Sequence, residues 1–127
     1  MCGITAIVSI DKRLRNDALL NALKTLELRG PDEYGIWEGK NISIGHRRLS
    51  VMGLTNGKQP ISSLCEQIVV ACNGELYGYK KIRDQFSNEY NFKTDSDSEV
   101  LIPLYLKYGI EGMMKHLIGE FAFVLYD

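Results

Sequence analysis

The chain opens Met1-Cys2-Gly3-Ile4. Met1 is readily trimmed before a small residue, and its removal would leave a thiol and a free α-amine on one residue. The ordinary pKa of such an amine, about 7.7–8.0, leaves a useful uncharged fraction near neutral pH. That amine can take the thiol's proton and return it later, as N-terminal nucleophiles do. Taken alone, Cys2 is equally a small apolar residue entering a core strand. Four further segments carry polar groups of the kind a site requires. They are Arg29-Gly30-Pro31-Asp32, Gly45-His46-Arg47-Arg48-Leu49-Ser50, Asn73-Gly74-Glu75-Leu76-Tyr77 and Ser96-Asp97-Ser98-Glu99. An arginine fork can bind a carboxylate bidentately. Successive strand side chains point to opposite faces, so only one of Arg47 and Arg48 can serve a given site. Asn73-Gly74 by itself also reads as a hairpin turn. Asp97 reads as a carboxylate favoured by a helix start.

The elements that must hold these residues are legible in outline. Ile4 to Ile10 is a β-rich run beginning just after Cys2. Asn16 or Asp17 can cap a helix in which Leu19, Ala22, Leu23 and Leu26 fall on one face, with Gly30-Pro31 as its stop. Tyr34 to Glu38, Ile42 to His46 and Leu49 to Met52 read as short strands, the first two joined by a tight turn at Gly39-Lys40-Asn41. Asn56-Gly57 marks another turn and Gln59-Pro60 begins a loop. Gln67 to Cys72 reads as a central strand ending at Asn73-Gly74, and Lys80 to Glu89 as a helix. Ser96 and Glu99 form a capping-box pattern before another helix, in which Pro103 predicts a kink. Glu120 to Tyr126 alternates as a last strand. The order predicts an α+β fold with mainly antiparallel sheet.

Composition narrows the functional classes. The 127 residues suit one domain, and 45% hydrophobic with 24% charged content is that of a globular chain. Fifteen basic against sixteen acidic residues give a net charge of −1 and no argument for nucleic acid or a membrane surface. No run of about 18 apolar residues and no signal peptide is seen, so a cytoplasmic location is expected. Three cysteines without CxxC spacing speak against a disulfide framework or a zinc site. Cys72 reads as core and Cys65 as a loop residue without evident role.

An N-terminal Cys-Gly-Ile followed in order by these four segments resembles the class II (N-terminal nucleophile) glutamine amidotransferase domain. Within that group the chain resembles the glutaminase domain of glutamine-hydrolysing asparagine synthetase, through RGPD at 29–32, Gly57-Lys58-Gln59-Pro60 and Asn73-Gly74-Glu75 followed by Tyr77. Two positions depart from that pattern: Leu28 where a basic residue or His is usual, and Gly78 where Asn is frequent. The resemblance covers residues 1–127 as one domain. It implies an αββα sandwich of two mainly antiparallel sheets, here ending short of the family's last strands.

The resemblance also distributes roles. Cys2 supplies the thiolate that attacks the glutamine carboxamide. The Asn73 side-chain amide and the Gly74 backbone N–H form the oxyanion hole, where one donor is worth roughly 2.7–4 kcal/mol of barrier. Arg48 binds the substrate carboxylate, Asp97 with Glu75 its ammonium, and Leu49 and Val51 contribute backbone groups. His46 reads as structural. Glutamate and ammonia are the products, with no metal or cofactor required.

In the family, ammonia passes to a synthetase domain that uses ATP and magnesium to activate aspartate. No Ser-Gly-Gly-x-Asp-Ser type pyrophosphate loop occurs in the 127 residues, so a synthetase partner acting in trans is expected. Two other readings stay open. One is an inert fragment or binding module of the same fold. The other is a phosphosugar amidotransferase, against which RGPD and NGE weigh.

Overall fold

The computed structural model describes residues 1–10, 16–50 and 55–127. Among these residues six strands and three α-helices follow the order β1 (Gly3–Val8), α1 (Asn16–Thr25), β2 (Glu33–Glu38), β3 (Ile42–Arg48), β4 (Ile61–Ser62), β5 (Val69–Leu76), α2 (Tyr79–Phe86), α3 (Leu101–Met114) and β6 (Gly119–Tyr126). A 3-10 turn, Asp97–Val100, precedes α3. The described strands form two three-stranded antiparallel sheets, ordered β1-β3-β2 and β4-β5-β6.

The period-2 pattern of the strands dictates how these sheets stack. On β3, Ile42 and Ile44 point one way and meet Val69 and Ala71 of β5, with Trp37, Val124 and Tyr126 packed around them. On the opposite face of β3, Gly45 makes room for Leu23 of α1. The intervening residues of β5, Val70, Cys72 and Leu76, enter a second core with Phe86, Leu101, Leu104 and Met113. The molecule is therefore layered helix, sheet, sheet, helices. Leu19 and Leu23, each 1% exposed, fix α1 to its sheet, and full burial of such a side chain is worth about 1.5–3 kcal/mol.

The predicted elements mostly form, with shifted limits that have local causes. Helix α1 takes in Asn16 itself, with Asp17 in its first turn. It ends at Thr25, and its last carbonyls are taken by tight turns: Leu26 N–H donates to Leu23 O and Glu27 N–H to Lys24 O, both at 3.2 Å. Gly30 is required by space. A Cβ there would lie 2.4 Å from the Arg47 carbonyl carbon. Helix α2 stops at Phe86, before the expected Glu89, as Ser87 turns its hydroxyl onto Asp84 O at 2.8 Å. Leu49 and Ser50 are not a strand, and Val51 and Met52 lie outside the described residues.

Three expectations are corrected. The central strand does not turn at Asn73-Gly74 but continues to Leu76, paired throughout with β6. Pro103 does not kink its helix. It falls in the first turn, where a missing N–H costs least, and the break comes at Gly109, with φ 65° and ψ −178°. The capping box is not closed. Ser96 Oγ accepts from Ser98 N–H at 3.3 Å, whereas the Glu99 carboxylate accepts from the N–H groups of Lys93 (2.8 Å) and Thr94 (2.7 Å). Glu99, 0% exposed, thus clasps the preceding loop.

Candidate active site

Cys2 sits one residue before β1, half-buried, and its sulfur lies against the chain leaving β3. Leu49 N–H donates to Sγ at 3.4 Å, and the thiol reaches Leu49 O at 3.6 Å. Leu49, expected to touch substrate, is thus brought to the nucleophile itself. Arg29 Nε donates to Cys2 O at 3.2 Å. Asp32 accepts Ser50 N–H on Oδ2 at 2.6 Å and gives its own N–H to Arg48 O at 3.0 Å. With Gly30 packed on the Arg47–Arg48 backbone, residues 29–32 strap the end of β3 to Cys2. Sequence reasoning noted this motif without finding its mechanical role.

Arg47 and Arg48 diverge as strand alternation requires. Arg47 turns to α1, where Nε donates to Leu23 O at 3.1 Å and the guanidinium lies over the Tyr34 ring. Arg48 turns to the inter-sheet side, is 5% exposed and forms an ion pair with Glu33. A buried cation needs such a partner, and Glu33 was not foreseen.

Strand β5 supplies the facing wall. Val69 and Ala71 point into the inter-sheet core, so Asn73 points the same way at its open end. The Asn73 Oδ1 atom is buried and has no hydrogen-bond partner among the described residues. Backbone groups on β5 alternate as well. Cys72 N–H and C=O turn away from β6 to the Gln59 side chain, and Leu76 N–H turns away to Asp97 Oδ2 at 2.8 Å. Gly74 lies midway between them, so its N–H points to that same free edge. Gly74 has φ 150°, and a Cβ there would come within 2.1 Å of Glu120 O.

Asp97, 5% exposed, opens the 3-10 turn, and its other oxygen is within 3.5 Å of the Ser96 and Ser98 hydroxyls. Glu75 is exposed on β5 opposite Glu120 of β6. Cys2, Arg48, Leu49, Asn73, Gly74, Glu75 and Asp97 all line one cavity of about 320 Å³, with Gln59, Ser98 and Glu120 in the same wall. Val51 lies outside the described residues. Sites for small ligands start near this size, and this one has a basic group and acidic groups in its lining.

Two titratable groups next to the cavity are held neutral. Burial pushes the Cys72 thiol up to about 12, which leaves Cys2 as the thiol available for chemistry there. Burial pushes His46 down to about 4, and its Nε2 lies 3.1 Å from Cys72 O. As a neutral imidazole donating to that carbonyl, it links β3 to β5, the structural role expected for it. Among the described residues no group of three His, Cys, Asp or Glu side chains could hold a metal, and no helix is long and apolar enough to cross a membrane.

The chain is similar to known proteins along its whole length. It is 38% identical to asparagine synthetase B [glutamine-hydrolyzing] of Escherichia coli, in an alignment covering 100% of this chain and 23% of that protein. It is 39% identical to a probable asparagine synthetase [glutamine-hydrolyzing] of Dictyostelium discoideum, with the same coverages of 100% and 23%. It is also 39% identical to the amidase chry2 of Gibberella zeae, covering 100% of the chain and 21% of that protein. The chain thus spans less than a quarter of the length of these curated relatives. The glutamine amidotransferase domain model matches residues 1–127, and to that family the chain belongs.

Proposed function

We propose that this chain is the glutaminase part of an asparagine-synthetase-like enzyme, and that Cys2 becomes the N-terminal residue by loss of Met1. The convergence of residues 2, 48, 73–75 and 97 on one cavity carries this reading. The helix–sheet–sheet–helix layering, with the nucleophile at the mouth of β1, supports an N-terminal nucleophile hydrolase fold.

In this mechanism the α-amine of Cys2 takes the thiol proton and the sulfur attacks the γ-carbonyl carbon of glutamine. The carbonyl oxygen becomes an oxyanion held by the Asn73 amide and the Gly74 N–H. As the C–N bond breaks, the Cys2 ammonium returns the proton to the departing nitrogen, and ammonia leaves a γ-glutamyl thioester. Water, deprotonated by the same amine, then cleaves the thioester to give glutamate and the free thiol. Arg48 holds the α-carboxylate, and Asp97 with Glu75 holds the α-ammonium. None of these steps calls on a metal or cofactor. ATP and magnesium belong to the synthetase partner that would consume the ammonia, with aspartate as its acceptor.

The test is release of glutamate and ammonia from glutamine by protein whose mass shows Cys2 first. Turnover that disappears in Cys2→Ala is expected. Turnover unchanged in that variant sinks the mechanism, and no turnover from folded, correctly processed protein favours an inert module of the same fold.

A further inference from the structure

Gln59 is not assigned a part in the chemistry above, yet it is buried (6% exposed) and hydrogen-bonded at both ends of its amide. Strand β4 pairs with β5 at only two positions, Ile61 with Val70 and Ser62 with Val69. Continuing that register places residue 59 opposite Cys72, where the backbone pairing has stopped. The Gln59 side chain supplies the missing rung. Its Oε1 accepts Cys72 N–H at 2.6 Å, and its Nε2 donates to Cys72 O at 3.2 Å. The same Nε2 lies 3.4 Å from Ser98 Oγ. Cys72 directly precedes Asn73, and Ser98 directly follows Asp97. On its other side the Gln59 carbonyl rests on β2 so closely that a Cβ at Gly35 would lie 2.0 Å from it.

We propose that Gln59 is a positioning residue: its amide clamps the β5 backbone at Cys72 so that Asn73 and Gly74 present their donors at a fixed place, and ties that edge to the turn bearing Asp97. The inference rests on the proposed function, since it concerns the same oxyanion donors. The physical basis is that an oxyanion hole works only if its donors are fixed before charge develops. A side chain that replaces a strand partner over one rung does this without filling the cavity. A strand partner at residue 74 would consume the Gly74 N–H, so the pairing must end before it.

Gln59→Met removes both hydrogen bonds at nearly constant length. Because the donors act mainly in the transition state, kcat should fall about tenfold or more while KM for glutamine stays within about threefold. Amide hydrogen exchange, followed residue by residue in the full chain, should quicken at Cys72, whose N–H the Gln59 side chain accepts, and not at Ile44 in β3. A general loss of stability would quicken both. If Gln59→Met does not fold, Gln59→Glu keeps the acceptor for Cys72 N–H and loses the donor to Cys72 O, and the same kinetic pattern is expected, with exchange at Cys72 close to wild type. An unchanged kcat, a KM effect alone, or uniformly faster exchange overturns the inference while leaving the glutaminase reading intact. Wild-type protein without Cys2-dependent turnover overturns that reading, and the inference with it.

Discussion

At the scale of single residues, Arg48 shows how much of the site strand geometry alone decides. Adjacent arginines on one strand cannot serve one face, and the structure sends Arg47 to α1 and Arg48 to the cavity. Which of the two faces inward was legible only through the resemblance, because alternation does not say which parity is buried. On the proposed mechanism, Arg48→Ala should raise KM for glutamine on the order of tenfold to a hundredfold and leave kcat within a few-fold, since a carboxylate contact is shared by ground and transition states. Steady-state kinetics decide it. A normal KM would point to a different substrate contact, since Arg47 is turned away to α1. Leu49 was legible as a backbone contributor, but its contact with the Cys2 sulfur was not. That contact joins residues 47 positions apart, and no local pattern encodes it. The Leu28 departure is harmless on structural grounds, as its side chain is 98% exposed.

At the scale of elements, β5 is the part that sequence reading placed least well and that matters most. Asn-Gly is a strong turn signal. Here pairing with β6 overrides it and carries the strand to Leu76. The glycine is needed for its φ of 150° and for the close approach of Glu120. Gly74→Ala should therefore cost at least about 2 kcal/mol of stability through strain, and remove turnover through the displaced donor. Gly78 is the control. It has φ 71° with nothing within 4 Å of a would-be Cβ, and Asn tolerates that conformation. Gly78→Asn should unfold at a denaturant midpoint close to wild type. Equal losses in the two variants would mean that backbone freedom, not crowding by β6, fixes glycine at 74. The Glu99 clasp was missed for a related reason: the loop amides of Lys93 and Thr94 took the carboxylate that a local rule had assigned to the helix cap.

At the scale of the whole molecule, His46 joins the two sheets, from β3 to Cys72 O on β5. Its pKa in the fold is about 4, against 6.5 in the unfolded chain. Between those values the unfolded state binds a proton that the native state refuses, so stability rises with pH across that window. Acidification from pH 7 to 4 should cost about 3 kcal/mol through this residue alone. His46→Gln, which keeps a donor for the carbonyl, should flatten that part of the profile of urea midpoints against pH. An unaltered slope would place the acid sensitivity elsewhere. The sequence by itself determined the class of the fold, the positions of most strands and helices, and the polar residues that meet at one cavity, because period, turn chemistry and an ordered set of motifs are local properties. Only the tertiary structure decided how β5 is held, that Glu33 pairs with Arg48, that residues 29–32 strap Cys2 to β3, and that Gln59 completes a rung of the sheet. Each of these joins groups distant in the chain, and the pairing of a buried polar group is settled by whatever donor or acceptor packing brings within reach.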